Sequence, residues 1–197
     1  MVIIRQFAHS DEDNWIECQL HSYLHSPYYD VLNKVRPRYE NPAIELVGIE
    51  NDKIVGILDI EIEQEQGHFC FDETERSAMI SAIGVLLNHR GKGLGSKLIR
   101  KGIELIQKNY EIHRIEIWIR EDPGIISWLK KLKFQKIHQF FEIILTTDFF
   151  EKYQIDMPFG IIPTFLTGNV ESEGFSQLIQ QHPPERTSPI IIFEKRF

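Results

Sequence analysis

Asn88-His89-Arg90-Gly91-Lys92-Gly93-Leu94-Gly95-Ser96 is the stretch of this chain from which its fold can be inferred. It lies between an apolar, strand-like segment, 78–87, and an amphipathic, helix-like segment, 96–110. Alternate glycines let a backbone approach a ligand closely, and the first N–H groups of a helix have no partner within the helix. Because the helix dipole also favours negative charge there, the stretch predicts a phosphate site between a strand and a helix N-terminus.

The composition is that of an ordinary globular protein. The chain has 197 residues, of which 42% are hydrophobic and 26% charged, and this length suffices for one well-buried core. A formal net charge of -7 argues against general binding to nucleic acid or to an anionic membrane, and it favours a cationic partner. Cys18 and Cys70 form no CxxC pair, so neither a disulfide framework nor a zinc site is predicted.

Targeting signals are not evident in the sequence. Residues 1–7 are too short and too soon interrupted by charge to be a signal peptide. No apolar run approaches the roughly 20 residues that cross a bilayer. We therefore expect a cytoplasmic protein.

Hydrophobic periodicity predicts an alternation of strands and helices. In chain order, the prediction is strand 2–7, helices 11–25 and 28–36, strands 43–50, 54–65 and 77–87, helix 96–110, strand 114–120, helix 124–132, and strands 134–145 and 190–197. Prolines break up the segment 146–188, which we interpret as an insertion between the last two strands of a single domain, 1–197. Its aromatic residues indicate a lid over an acceptor site, a dimer contact or a satellite core.

The spacing of the glycine stretch excludes two common phosphate-binding motifs. A P-loop needs Ser or Thr after its lysine, whereas Lys92 is followed by glycine. A dinucleotide fingerprint requires a different glycine spacing. Arg90-x-x-Gly93-x-Gly95, five residues after Val85, resembles the acyl-CoA pyrophosphate loop of the GCN5-related N-acetyltransferase (GNAT) family.

Two further segments carry this resemblance. The segment 122–134 resembles the family's second cofactor segment through Trp128, Lys130, Lys131, Leu132 and Phe134. The final 192–195 looks like the family's closing strand, and the order of elements over 2–145 matches its plan. The resemblance implies an α/β protein with the GNAT acyl-CoA N-acyltransferase fold: a mixed, mostly antiparallel central sheet flanked by helices, with a C-terminal insertion before the last strand.

The resemblance also implies a function, the transfer of an acetyl group from acetyl-CoA to a primary amine of a small molecule or protein by direct attack in a ternary complex. The pyrophosphate would lie on the backbone of 90–96, and the pantetheine would lie in a V-shaped gap between the strand ending at Val85 and strand 114–120. Backbone N–H groups near Val85 would stabilise the oxyanion. The implied cofactor-binding residues are Ile83, Val85, Arg90, Gly91, Lys92, Gly93, Leu94, Gly95, Ser96, Asp122 and Trp128.

Two positions depart from the family's acid–base pattern. The tyrosine that commonly protonates the leaving thiolate falls on Leu129, and the common glutamate base falls on Ser81. Loss of the acid would cost on the order of 10²–10⁴ in rate. Candidate catalytic residues are Ser81 itself, Glu61 and Tyr153, with Ser127 as a further replacement. The alternatives are a catalytically silent acyl-CoA-binding module and an unrelated nucleotide binder.

Two other groups of polar residues complete the candidates. Side chains that alternate along strand 54–65 share one face, and they are Asp59, Glu61, Glu63 and Glu65. We expect a solvated face; the alternative is a cleft wall that attracts a cationic amine, with Asp59 or Glu61 relaying a proton. Helical spacing also relates Glu17, His21 and His25, but without a further ligand no metal site is predicted. The expected partners are acetyl-CoA and an amine acceptor, with a homodimer as an option and without nucleic acid or membrane.

Overall fold

An eight-stranded sheet organises the chain. The computed structural model describes residues 1–31, 33–144, 165–168 and 187–197. The strands are β1 (Ile3–Gln6), β2 (Ala43–Glu50), β3 (Lys53–Ile62), β4 (Ala78–Val85), β5 (Arg114–Arg120), β6 (Gln135–Ile144), β7 (Phe165–Gly168) and β8 (Thr187–Arg196). Their order is β1-β2-β3-β4-β5-β8-β6-β7, and only the β4–β5 pair is parallel. The predicted mixed, mostly antiparallel sheet is confirmed.

Helices cover both faces of this sheet. They are α1 (Glu12–Tyr23), α2 (Leu94–Asn109) and α3 (Pro123–Lys131). The larger apolar cluster lies between the sheet and α2 and α3, and its α2 members are Leu94, Leu98, Ile99, Ile103 and Ile106. A smaller cluster lies under α1 and contains Trp15, which is fully buried. We call the two sides of the sheet the α2 face and the α1 face. Within the described ranges no helix is long and apolar enough to cross a bilayer.

The predicted helix over 28–36 is wrong. The described residues of this stretch form turns and an irregular connection between α1 and β2. Its two ends are held at separate anchors, because the Tyr28 hydroxyl accepts the N–H of Arg120 on β5 and Arg36 donates to Asp59 on β3. An irregular path satisfies both contacts, and neither contact is visible in the local hydrophobic pattern.

The predicted insertion, 146–188, lies mostly outside the described residues. Within it, Phe165–Gly168 forms β7, which pairs with β6 and widens the sheet, and no strand was predicted there. The candidate acid Tyr153 also lies outside the described residues. Its role, like that of the insertion as lid or dimer contact, stays a prediction.

Candidate active site

A gap separates β4 from β5 although the two strands are neighbours in the sheet. Their parallel ladder joins Ala78 to Ile115 and Met79 to Glu116. No further residue pair joins these two fully described strands. Beyond this closed end the strands diverge, which is the V-shaped gap that the family resemblance implies.

Arg114 holds the closed end of the gap together. Its side chain is fully buried, its Nε donates to the Ser77 hydroxyl at 2.7 Å, and its guanidinium forms an ion pair with Asp72. Ser77 precedes β4 and Arg114 begins β5, so this contact keeps the two strands together at the point where pairing begins. Separation is therefore confined to their C-terminal halves.

A β-bulge on β4 lies where the gap opens. The register of β4 with β3 steps from the pair Asp59–Ala82 to the pair Ile60–Ile80, which leaves Ser81 as the extra residue. Such a residue bends its strand and increases its twist. Ser81 is exposed, and a catalytic role for its hydroxyl stays a prediction.

Two backbone N–H groups of β4 point into the gap. The N–H of Leu86 donates across to Val55 of β3 at 3.1 Å, and successive N–H groups of a strand alternate between its two edges. The N–H groups of Ile83 and Val85 therefore point away from β3, towards β5. The carbonyl of Val85 points the same way and accepts Nε of Arg90 at 3.0 Å. A carbonyl oxygen entering the gap would meet these donors, as in an oxyanion hole.

The opposite edge of the gap also presents a backbone N–H. Glu121 donates its N–H to Pro189 just beyond the last paired residues of β5 and β8, so the N–H of Arg120 points towards β4. The Tyr28 hydroxyl accepts that N–H at 2.9 Å. A side chain from the connection after α1 thus reaches the β5 edge.

A second tyrosine, Tyr23, lies beside Tyr28. Burial raises the pKa of Tyr23 to about 12, and a hydrogen bond with the backbone of Ile83 offsets part of that rise. The ring centroids of Tyr23 and Tyr28 lie 5.8 Å apart. The two rings are therefore neighbours, and Tyr28 is the one whose hydroxyl reaches the β5 edge.

The glycine stretch forms an open cradle at the end of the gap. Gly91 and Gly93 have φ angles of 73° and 81°, in the left-handed region that L-residues with a side chain rarely adopt. A Cβ added at either glycine would meet no protein atom within 4 Å. Gly93 caps α2, so the unpaired N–H groups of 94–96 and the positive end of the helix dipole face this space.

Trp128 of α3 packs against the first turn of α2. Its Nε1 donates to the Ser96 hydroxyl at 2.9 Å, and a Cβ at Gly95 would lie 3.2 Å from its ring. The Leu94 side chain is buried and packs against Gly56, so this residue offers the cradle only its backbone. Trp128 thus sets the distance between α3 and the cradle.

Arg90 ties the cradle to its surroundings. Besides Val85 it donates to the backbone carbonyl of Ser22 in α1 at 2.5 Å. Lys92 is exposed, and Nε2 of His89 lies 3.1 Å from a Glu50 carboxylate oxygen. The guanidinium of Arg90 thus links the start of the cradle to β4 and α1.

The segment 122–134 places its residues in different environments. The Asp122 carboxylate caps α3 by accepting the N–H of Ile125 at 2.8 Å. Leu129 is fully buried in the larger apolar cluster. The outer side of α3 carries an open depression of about 600 Å³, lined by Pro123, Ile126, Ser127, Lys130 and Lys131. Two lysines thus lie one helical turn or less from Trp128.

The predicted solvated carboxylate face is wrong at Asp59. This side chain is fully buried on the α1 face, where its Oδ2 accepts Arg36 Nη2 at 3.0 Å and the Tyr39 hydroxyl at 3.1 Å. Burial raises its pKa to about 6, and the charge of Arg36 offsets part of the rise. The Arg36 guanidinium also stacks over Phe7, 3.8 Å from the ring centroid. Packing by the 28–42 connection explains the burial.

The prediction is also wrong at Glu63, which is fully buried. Its carboxylate accepts three backbone N–H groups, those of Phe69, Cys70 and Ser77, and so holds the loop that leads into β4. Glu61 is half-buried and accepts Asn41 Nδ2 at 2.7 Å, whereas Glu65 is exposed. Among the described residues no group of three or more His, Cys, Asp or Glu side chains is arranged to hold a metal ion.

The aromatic residues of the α1 face were not predicted from the sequence. Tyr23 and Tyr28 carried no local signal, because their contacts depend on the path of the connection after α1. Trp118 did carry one: it alternates with core isoleucines of β5 and therefore faces away from α2. Trp118 is 38% exposed, and its ring meets that of Phe140 edge-on, with 5.5 Å between the ring centroids.

Comparisons with known proteins agree with this geometry. The model of the Acetyltransferase (GNAT) family matches residues 7–134. Among solved structures, NAA60 of Arabidopsis thaliana in complex with a bisubstrate analogue has a TM-score of 0.62 at 10% identity and covers 100% of this chain and 98% of its own. No curated protein matches the sequence.

Two bacterial enzymes share the fold as well. The ribosomal-protein-alanine N-acetyltransferase of Brucella melitensis has a TM-score of 0.62 at 14% identity, with 99% of both chains covered. The ribosomal-protein-S18-alanine N-acetyltransferase of Escherichia coli has a TM-score of 0.60 at 12% identity, with 100% of this chain and 94% of its own covered. At such identities the likeness is one of fold.

Proposed function

Because the chain belongs to the GNAT acetyltransferase family, we propose that it transfers an acetyl group from acetyl-CoA to a primary amine of a small molecule or protein, by direct attack in a ternary complex. The observation that carries the proposal is the gap beside the glycine cradle. There the N–H groups of Ile83 and Val85 point away from β3 into a space that a thioester and its pantetheine arm would enter.

The cradle and the gap suit different parts of acetyl-CoA. The pyrophosphate would lie on the backbone N–H groups of 90–96, where Gly91 and Gly93 leave room that a side chain would fill. The pantetheine amides would pair with the facing edges of β4 and β5. Acetyl-CoA supplies the activated thioester, and the backbone N–H groups near Val85 would polarise its carbonyl. The remaining rate advantage comes from orienting both reactants in one cleft.

The α1 face suits a cationic acceptor. Trp118 presents a partly exposed indole, and Glu61 a half-buried carboxylate. A carboxylate and an aromatic face both attract an ammonium group, and the net charge of -7 adds long-range attraction. The similar Escherichia coli and Brucella melitensis structures carry names that specify a ribosomal-protein alanine, so a peptide with an N-terminal alanine is a reasonable acceptor to test.

Thiol release from acetyl-CoA tests this function. The purified protein is assayed against a panel containing a polyamine, a lysine-containing peptide and a peptide with N-terminal alanine, with an amine-free reaction as the control. We expect amine-dependent release with at least one acceptor. Binding of acetyl-CoA without amine-dependent release across the panel would instead support the silent module. Thermal stabilisation by ATP or NAD but not by acetyl-CoA would support an unrelated nucleotide binder.

A further inference from the structure

The free protein already uses one of the backbone donors that a ligand in the gap needs. Arg120 is the last residue of β5, and its N–H, which points towards β4, donates to the Tyr28 hydroxyl at 2.9 Å. We propose that this is an autoinhibitory contact. The segment 27–30, which we call the strap, closes the β5 edge of the gap and is displaced when the pantetheine arm of acetyl-CoA binds. The proposal rests on the proposed function.

A single residue attaches the strap to the sheet. Besides the contact of its N–H with Tyr28, Arg120 donates from Nη1 to the carbonyl of Pro27 at 2.8 Å and to the Asp30 carboxylate. Its guanidinium carbon also lies 5.8 Å from the centroid of the Tyr28 ring. Among the described residues, every hydrogen bond between the strap and the sheet involves Arg120. No residue of the strap belongs to either apolar cluster, so the strap can leave the β5 edge without disturbing the core.

Arg120 itself is held from the other side. Its Nε donates to the Glu142 carboxylate of β6 at 2.9 Å, and its Nη2 lies 2.8 Å from the same carboxylate. The Arg120 side chain is only 11% exposed. Local opening costs least where few buried apolar contacts must be broken, and this describes the strap rather than β5. The strap is therefore the part that moves, while the β5 edge stays in place to receive the ligand.

Tyr28 and pantetheine compete for the same donor. A backbone residue has a single N–H to donate, and an amide carbonyl of pantetheine that pairs with the end of β5 would take it. Because the strap must open before this pairing forms, the observed Kd exceeds the intrinsic value in proportion to the population of the closed arrangement. If Tyr28 were only an anchor that keeps the β5 edge in place, its loss would weaken binding or leave it unchanged. The sign of the change in Kd therefore separates a competitor from an anchor.

Tyr28→Phe removes the competing hydroxyl and keeps the ring. Because the competing contact is one hydrogen bond, its loss should lower the Kd for acetyl-CoA by about fivefold in calorimetric titration. Phosphoadenosine diphosphate, the half of CoA that keeps the pyrophosphate but lacks pantetheine, should bind the wild-type protein and the variant equally. Tyr39→Phe is the matched control, because Tyr39 lies in the same connection but its hydroxyl donates to Asp59 on β3. We expect this control to leave the Kd for acetyl-CoA unchanged.

Hydrogen exchange at the Arg120 amide is an independent measurement. Without ligand, exchange should be faster in Tyr28→Phe than in the wild-type protein, and acetyl-CoA should slow it in the variant because pantetheine then accepts this N–H.

Three results would overturn the autoinhibitory contact and leave the proposed function intact. They are an equal or higher Kd for acetyl-CoA in Tyr28→Phe, a similar gain in affinity for phosphoadenosine diphosphate, and an Arg120 amide that acetyl-CoA does not protect in the variant. A wild-type protein without affinity for acetyl-CoA would overturn the proposed function, and this contact with it.

Discussion

Gly93→Ala adds one methyl group at a backbone position with a φ of 81°, where no protein atom lies within 4 Å of the new Cβ. The cost to the free protein is conformational, since an L-residue in the left-handed region loses about 1–2 kcal/mol. For a chain of this length about 1 kcal/mol lowers Tm by roughly 2–4 °C. We therefore expect the Tm of Gly93→Ala to fall by about 2–8 °C with the fold retained.

The effect on acetyl-CoA should be larger than this strain. The methyl group projects into the cradle, where a pyrophosphate oxygen must approach the N–H groups of 94–96. Loss of even one such contact, at about 1.4 kcal/mol, raises Kd about tenfold, and we expect at least that. Calorimetric titration measures Kd directly. Thermal unfolding provides a second assay, because ligand at about 100 times Kd stabilises the wild-type protein by about 2.7 kcal/mol.

Gly67→Ala is the matched control, since Gly67 has a φ of 69° in a loop distant in sequence from the cradle. Its Cβ would meet the flexible Glu73 side chain at 3.1 Å. We expect a similar fall in Tm and an unchanged Kd for acetyl-CoA. Wild-type affinity in Gly93→Ala, or equal loss of affinity in both variants, would refute the assignment of the cradle.

Three further predictions address the surroundings of the site. The pKa of Asp59 rises from 3.8 to about 6 on folding, so its contribution to stability is present below about pH 4 and is lost as pH rises through 6, by about 3 kcal/mol. The free energy of unfolding of Asp59→Asn, measured in urea, should therefore not show this decrease between about pH 4 and 7. A variant with the same pH dependence as the wild-type protein would contradict the prediction. Trp128→Phe should cost about 0.5–1.5 kcal/mol in urea unfolding, because the hydrogen bond to Ser96 is lost, and should raise KM for acetyl-CoA; an unchanged KM would exclude Trp128 from positioning the cradle. Glu61→Lys should raise KM for the amine but not for acetyl-CoA in steady-state kinetics, whereas Glu65→Lys should change neither, and equal values for both variants would remove the cleft-wall hypothesis.

Regular elements with a clear hydrophobic period were predictable from the sequence. Strand 114–120 has the predicted bounds, because three isoleucines alternate with charged residues and Trp118. The helix after the glycine stretch begins at Leu94, two residues before its predicted start, since Gly93 supplies the left-handed cap. The glycine stretch, the segment 122–134 and the order of elements together sufficed to identify the family.

Features that depend on contacts distant in sequence were not predictable. The path of the connection over 28–36 depends on Tyr28 and Arg36. These side chains contact Arg120 of β5 and Asp59 of β3, and such contacts leave no local sequence pattern. Asp59 looks like one of four solvated carboxylates until Arg36 covers it. The bulge at Ser81 is likewise a matter of register, which the sequence of one strand does not specify.

The central claim is that acetyl-CoA binds in the gap between β4 and β5. A crystal structure of the protein with acetyl-CoA tests it most directly. We predict the pyrophosphate on the backbone of 90–96, and the thioester carbonyl within hydrogen-bond distance of a backbone N–H group near Val85. Acetyl-CoA bound elsewhere, with the gap between the strands closed or empty of ligand, would contradict the account.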